Sequence, residues 1–204
     1  MREITTVKTV FTYDELSDKA KEKARDWFRE SNCDYEWFEY VYEDADNIAK
    51  ILGIELDRKR GNTPDIMFSG FYSQGDGACF EASYSYAKGA VKAVKDYAPN
   101  DTELQRIAKL LQDTQRRNFY RLTATTKQRG HYYHSGCMSV SVEDSENQYR
   151  DIGDSEDDIT QAMRDFADWI YKRLENEYEH LNSDETVESN IIANEYEFDE
   201  EGNI

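Results

Sequence analysis

Alternation of apolar and polar residues is cleanest between Phe68 and Tyr86. Phe80, Ala82, Tyr84 and Tyr86 fall on one face of an extended chain, and Cys79, Glu81, Ser83 and Ser85 on the other. That period of two belongs to a strand with one buried face. Ser73-Gln-Gly-Asp-Gly77 precedes this arm, and its two glycines suit a tight reversal, so the stretch predicts a β-hairpin. A second hairpin is predicted further on. Tyr120, Leu122 and Ala124 share one side of Phe119–Lys127, Met138, Val140 and Val142 share one side of Tyr132–Val142, and Gln128-Arg-Gly130 supplies the turn. Ile4–Phe11, Ile54–Asp57 and Asn194–Phe198 read as shorter strands.

Spacings of three and four mark the helices. Ser17 stands as an N-cap, and Ala20, Ala24, Trp27 and Phe28 form one face of a helix to about Ser31. A second stripe begins near Asp34 and runs through Phe38, Val41, Tyr42, Ala45, Ile48, Ala49 and Leu52, with Gly53 placed to end it. Trp37 and Tyr40 flank that stripe and are expected to widen its buried face. Lys88–Tyr97 is a short helix, and Asp101 or Asn100 caps another over Thr102–Arg117. The longest helix starts at Ser155, with Asp158 three residues on as in a capping box, and ends near Leu181. Ile159, Met163, Phe166, Ile170, Leu174 and Leu181 mark its buried edge. Ser183 opens a last short helix carrying Val187 and Ile191.

Together these elements predict an α+β fold: a single domain over residues 1–198, with an antiparallel sheet built on two β-hairpins and helices packed mainly on one face. Residues 199–204 read as a mobile acidic tail. Two prolines in 204 residues, and no Gly/Ser-rich linker, favour one continuous domain. No signal segment or membrane-length apolar run is present in the sequence, so a soluble, cytoplasmic protein is expected. Cys33, Cys79 and Cys137 are odd in number and widely spaced, which reads as reduced thiols rather than a disulfide framework.

Charge changes the picture more than composition does. The net charge of −18 is uneven: Asp151–Ile204 holds 18 acids against 3 Lys/Arg, whereas Ala87–Arg129 holds 10 bases against 4 acids. Such a field repels nucleic acid, making direct nucleic-acid binding an unfavoured reading, and it steers basic partners in. It also keeps a protein soluble. The 15 tyrosines add to the binding reading, since tyrosine offers rigid contact area with a polar tip. Acids with tyrosines can also imitate the phosphate spacing of DNA.

Candidate chemistry is sparse. His131, His134 and Cys137 are metal-ligand types, yet on an extended strand only His131 shares a side with Cys137, leaving those two as weak metal candidates. The same opposite-side placement argues against Cys137 and His134 as a nucleophile and base. Gly75-Asp-Gly77 lacks the sequence of a phosphate loop, although clustered backbone N–H groups there, with Gln74 and Asp76, are a candidate small-ligand site. No cofactor and no catalytic residue is expected, so an enzyme is the third-ranked class.

Four segments carry a family resemblance: Phe11-Thr-Tyr-Asp-Glu-Leu-Ser-Asp-Lys-Ala-Lys-Glu-Lys-Ala24, Phe68-Ser-Gly-Phe-Tyr-Ser-Gln-Gly-Asp-Gly-Ala-Cys-Phe80, Asp151-Ile-Gly-Asp154 and Asn194-Glu-Tyr-Glu-Phe198. Spanning nearly the whole chain, they resemble a family of small phage and prophage proteins commonly labelled "antitoxin of toxin–antitoxin stability system". The resemblance implies a phage-type host, a cytoplasmic setting and a role in conflict between mobile element and host. It carries over no functional residues. The expected function is that of a non-enzymatic acidic protein that binds and neutralises a basic partner, either a toxin or a host defence nuclease. Asp165, Asp168, Glu175 and Glu179 on the long helix are the expected contacts. The alternative is a nucleotide-binding or sequestering protein using Gln74, Gly75, Asp76 and Gly77.

Overall fold

The structure is a computed structural model that describes residues 2, 7–31, 36–59 and 61–204. Cys33, Asp34 and the first three residues of the strand expected over Ile4–Phe11 lie outside these residues. In chain order the elements are β1 (Phe11–Thr12), α1 (Asp18–Ser31), α2 (Glu39–Leu52), β2 (Ile54–Leu56), β3 (Ile66–Ser69), β4 (Gly77–Phe80) and β5 (Ala82–Ser85). There follow α3 (Ala90–Tyr97), α4 (Thr102–Arg117), β6 (Leu122–Gln128), β7 (Met138–Asp144), α5 (Ser155–Asn182), α6 (Asp184–Ala193) and β8 (Glu197–Phe198). Every strand pairing is antiparallel, and the fold is α+β. Two compact units are formed, one from Met1–Trp37 with Asn176–Ile204 and the other from Phe38–Glu175.

The first unit packs α1 against α6 beside the two-stranded β1–β8 ribbon. Ala20, Ala24 and Phe28 come from the predicted face of α1 and meet Val187, Ile191 and Phe198. Trp27 closes this core edge-on against Tyr196 and Phe198, with ring centres 5.2 and 6.0 Å away, a favoured arrangement for aromatic pairs. Ser17 caps α1 as expected, accepting the Ala20 N–H on its hydroxyl. The buried Tyr13 hydroxyl donates to Glu188 and accepts from Arg25, which satisfies its polar end. β1 is only two residues long, because its partner β8 offers no more, and Val7 stands 89% exposed. After β8 the chain closes a turn in which the Asp199 carboxylate accepts the Glu201 and Asn203 N–H groups.

The second unit is built on a four-stranded sheet in the order β2-β5-β6-β7. Its inward face carries Ile54, Leu56, Ala82, Tyr84, Leu122, Ala124 and Met138, all buried. Glu55, Ser83, Ser85, Thr125, Ser139 and Ser141 point the other way and are exposed, so one face takes helices and the other takes water, as the alternation predicts. Gln115 ties α4 to that sheet: its side chain exchanges hydrogen bonds with the Leu122 backbone and donates to the Tyr84 hydroxyl. Phe166 of α5 meets Phe80 edge-on at 5.6 Å, and both are fully buried. Trp37 is half-buried, while Tyr40 is 75% exposed, so α2 does not widen its buried face through Tyr40.

Three local expectations shift. The arm that alternates through Phe80–Tyr86 breaks at Glu81 into β4, which pairs with β3, and β5, which pairs with β2 and β6. Backbone bonds from Glu81 to Asp65 and Asp57 hold the break, and the Glu81 carboxylate takes Lys127. Ser155 does not cap α5; it begins the helix, and its buried hydroxyl accepts from Asn118. The strand expected from Phe119 starts at Leu122, because Phe119 and Tyr120 close the end of α4 with φ of 56° and 61°. That conformation costs a non-glycine residue about 1–2 kcal/mol; here the Tyr120 N–H bonds to the Gln115 carbonyl at 2.7 Å.

At the end of β7, Asp144 is buried and accepts from Arg150 and from the Glu146 and Asn147 N–H groups. The Arg150 guanidinium, with those N–H bonds, holds its carboxyl below the ordinary value. Its stabilising contribution is therefore complete above the unfolded value of about 3.9 and is lost as pH falls through the lower folded value. Asp144→Asn is expected to be less stable than wild type at neutral pH, with the gap closing as pH drops below about 4. Urea midpoints across that range check it; a gap independent of pH would contradict the role given to the charge.

Candidate functional site

Two turns in the second unit come together around glycine. The first joins β3 to β4. Its Asp76 carboxylate accepts the Tyr72 and Ser73 N–H groups at 2.9 and 2.6 Å, and Tyr171 of α5 stacks on Phe71 and donates its hydroxyl to the Gly70 carbonyl. The second turn joins β6 to β7. There Gln128 reaches the Gly130 and Tyr132 carbonyls, and Ser135–Cys137 form a single 3₁₀ turn closed by the Cys137 N–H on the His134 carbonyl.

Gly77 and Gly75 are the meeting points. A Cβ on Gly77 would lie 2.5 Å from both Cα and Cβ of His134, and one on Gly75 would lie 2.9 Å from the Tyr132 ring. Only glycine lets the two backbones approach this closely. Gly77→Ala is expected to cost about 1–3 kcal/mol, because the neighbour is backbone and cannot swing aside. Thermal or urea unfolding measures it, and an unchanged midpoint would contradict the close approach.

The 3₁₀ turn overturns the opposite-side placement of His134 and Cys137. With the chain coiled instead of extended, His134 Nε2 lies 3.3 Å from Cys137 Sγ. Tyr132 stacks beside the His134 ring at 6.2 Å. Asp168 of α5 joins from the other side. Although its side chain reaches solvent, partial desolvation is the main cause raising its carboxyl above the ordinary value; the Ser135 hydroxyl pulls it down, nearby Asp165 raises it and His134 lowers it.

Of the expected site residues, Gly75, Asp76, Gly77 and Asp168 stand in or beside this junction, and Gln74 is exposed on the turn. Asp165 is held by Arg106 and Gln161, and Glu175 by Lys172, so both are neutralised internally. Glu179 is exposed and belongs to the first unit. His131 is exposed and does not pair with Cys137, whose partner is His134. Among the described residues no three His, Cys, Asp or Glu side chains converge as a metal site requires. The turn's Tyr72 and Ser73 N–H groups already bind the Asp76 carboxylate, an internal anion that competes with any phosphate. Tyr132 and Tyr171 have no sequence pattern that marks them; for Ser135 the signal is the pair Ser135-Gly136, which interrupts alternation.

Half of the ten cations in the basic middle of the chain are neutralised from within. Arg106, Lys109, Arg117, Arg121 and Lys127 pair with Glu103 and Asp165, Asp113, Asp158, Glu146, and Asp57 and Glu81, respectively. Such surface pairs add little stability, roughly 0–1 kcal/mol each, but they cancel the positive field locally. By contrast, Asp154, Glu156, Asp157, Glu179, Glu185, Glu197, Glu200 and Glu201 stand exposed. No helix among the described residues is long and apolar enough to cross a membrane.

Fold and site together define an α+β protein with an acidic exterior, a polar sheet face and a glycine-paired junction of two turns. Residues 37–184 match the family described as Domain of unknown function (DUF8835), and the chain belongs to that family. No curated protein and no solved structure matches it.

Proposed function

We propose that the protein is a non-enzymatic, phage-type binding protein of the cytoplasm that neutralises a basic partner, either a toxin or a nucleic-acid-processing defence protein. The observation that carries this reading is the asymmetry of charge: five of the ten cations of the middle segment are engaged by carboxylates of the same chain, whereas those eight acids beyond Asp151 stand exposed. The net charge of −18 leaves the long-range field negative, and its effect is to accelerate encounter with a positive surface and to repel phosphate. Antitoxin-like and nucleic-acid-mimicking modes both use this field; they differ in whether the partner's active site or another face is covered.

Capture from a bacterial lysate tests the proposal. A basic toxin or nuclease that is retained at low salt and released as salt rises supports it, because salt screens exposed charges. Recovery of no basic or nucleic-acid-processing protein at low salt counts against it.

A further inference from the structure

The two described cysteines differ in everything that governs thiol chemistry. Cys79 sits in β4 with no exposure, and its thiol is pushed up to about 12 by burial first and then by the nearby Cys137. It stays protonated and out of reach. Cys137 is partly exposed at the end of its 3₁₀ turn, with Sγ 3.3 Å from His134 Nε2. An imidazole at that distance can take the thiol proton, and the thiolate beside an imidazolium is the attacking species.

His134 is held in place for this. Gly77 packs against its Cα and Cβ, the small Gly136 lies against its Nδ1 and Cε1 edge, and Tyr132 stacks beside it. The titratable groups facing the pair are Cys79 from β4, Asp168 from α5 with Asp165 beyond it, and Tyr132 on the same segment. The carboxylates make the surroundings negative, which attracts cationic reagents over anionic ones.

We propose that Cys137 and His134 form a thiol–imidazole pair that exchanges with small cationic disulfides, making Cys137 a redox modification site. His134 Nε2 accepts the Sγ proton, and the thiolate attacks one sulfur of the disulfide. The S–S bond of the reagent breaks as the new Sγ–S bond forms. The departing thiolate takes the proton back from His134, leaving a mixed disulfide on the protein and one free small thiol. Cys137 is oxidised, the released half is reduced, and no further oxidant enters. This inference stands on the side-chain cluster and is independent of the proposed partner.

The test is mixed-disulfide formation in the Cys33→Ala chain, followed by peptide mass spectrometry across pH, with cystamine as the cationic disulfide and oxidised glutathione as the anionic one. Cys137 is expected to be modified while Cys79 in the folded protein is spared. His134→Ala should slow Cys137 by about tenfold at neutral pH. Asp168→Asn should narrow the preference for cystamine. His134→Gln serves as a second variant should alanine fail to fold. If neither variant folds, the wild-type chain decides: equal rates of Cys137 modification by cystamine and oxidised glutathione overturn the proposal. So does an equal rate with and without His134, or modification of Cys79 as fast as Cys137.

Discussion

Replacing Phe166 by alanine is expected to lower stability by about 3–5 kcal/mol, the usual cost of emptying a fully buried phenylalanine site. Phe166 has no exposure; its ring meets Phe80 edge-on and lies parallel to Trp169 with centres 5.8 Å apart. Those contacts join α5 to β4, so the loss falls on the layer that fixes the helix against the hairpin. Neighbouring Trp169 is itself anchored by a hydrogen bond from its indole N–H to Asp101 at 2.8 Å, which limits how far it can swing to fill the space. A whole domain has a margin of only about 5–15 kcal/mol, so much of it would be consumed. Urea unfolding monitored by circular dichroism measures the change; a loss below about 1 kcal/mol would mean that the site collapses without penalty.

Much of this layer is legible in the sequence, because burial writes itself as periodicity. The stripe Ile159, Met163, Phe166, Ile170, Leu174 and Leu181 predicts the buried edge of α5, and the first five are buried while Leu181 is half-buried. Leu122 and Ala124 likewise predict the inward face of β6. Periodicity is silent where the chain coils for less than one turn. Ser135–Cys137 looks extended when counted by twos, and the error reverses the relation of His134 to Cys137. Nor does periodicity report that an arm changes sheets, as at Glu81, where the alternation runs on unbroken although the pairing does not.

The candidate site was legible in parts that could not be joined. Gly75, Asp76 and Gly77 read as a turn, and Asp168 as one acid among many; nothing in the spacing brings the turn against His134, because that approach depends on tertiary packing. The acids also differ more than their count suggests. Asp165 and Glu175 look equivalent to Glu156 and Glu179 in sequence, yet the first two are paired and largely covered while the others are exposed.

That difference sets the second large effect. Reversing Glu156, Asp157, Glu179 and Glu197 to lysine takes the net charge from −18 to −10 and touches only exposed side chains. Association with a basic partner is expected to slow by about tenfold to a hundredfold at low salt, the scale on which steering acts, and the gap should shrink as salt rises. Asp76→Ala is expected to leave binding unchanged, since the Asp76 carboxylate binds its own turn. Circular dichroism and the urea midpoint show whether the reversed chain keeps its fold, as two of the replaced acids lie in the first turn of α5, where negative charge is favoured.

The most direct measurement is capture from a bacterial lysate by immobilised wild type, the fourfold reversed chain and Asp76→Ala, each at low and at high salt. The account predicts a basic toxin or nucleic-acid-processing protein on wild type and Asp76→Ala at low salt, lost from both at high salt and from the reversed chain throughout. Capture of no such protein, or equal capture by a correctly folded reversed chain, would contradict it.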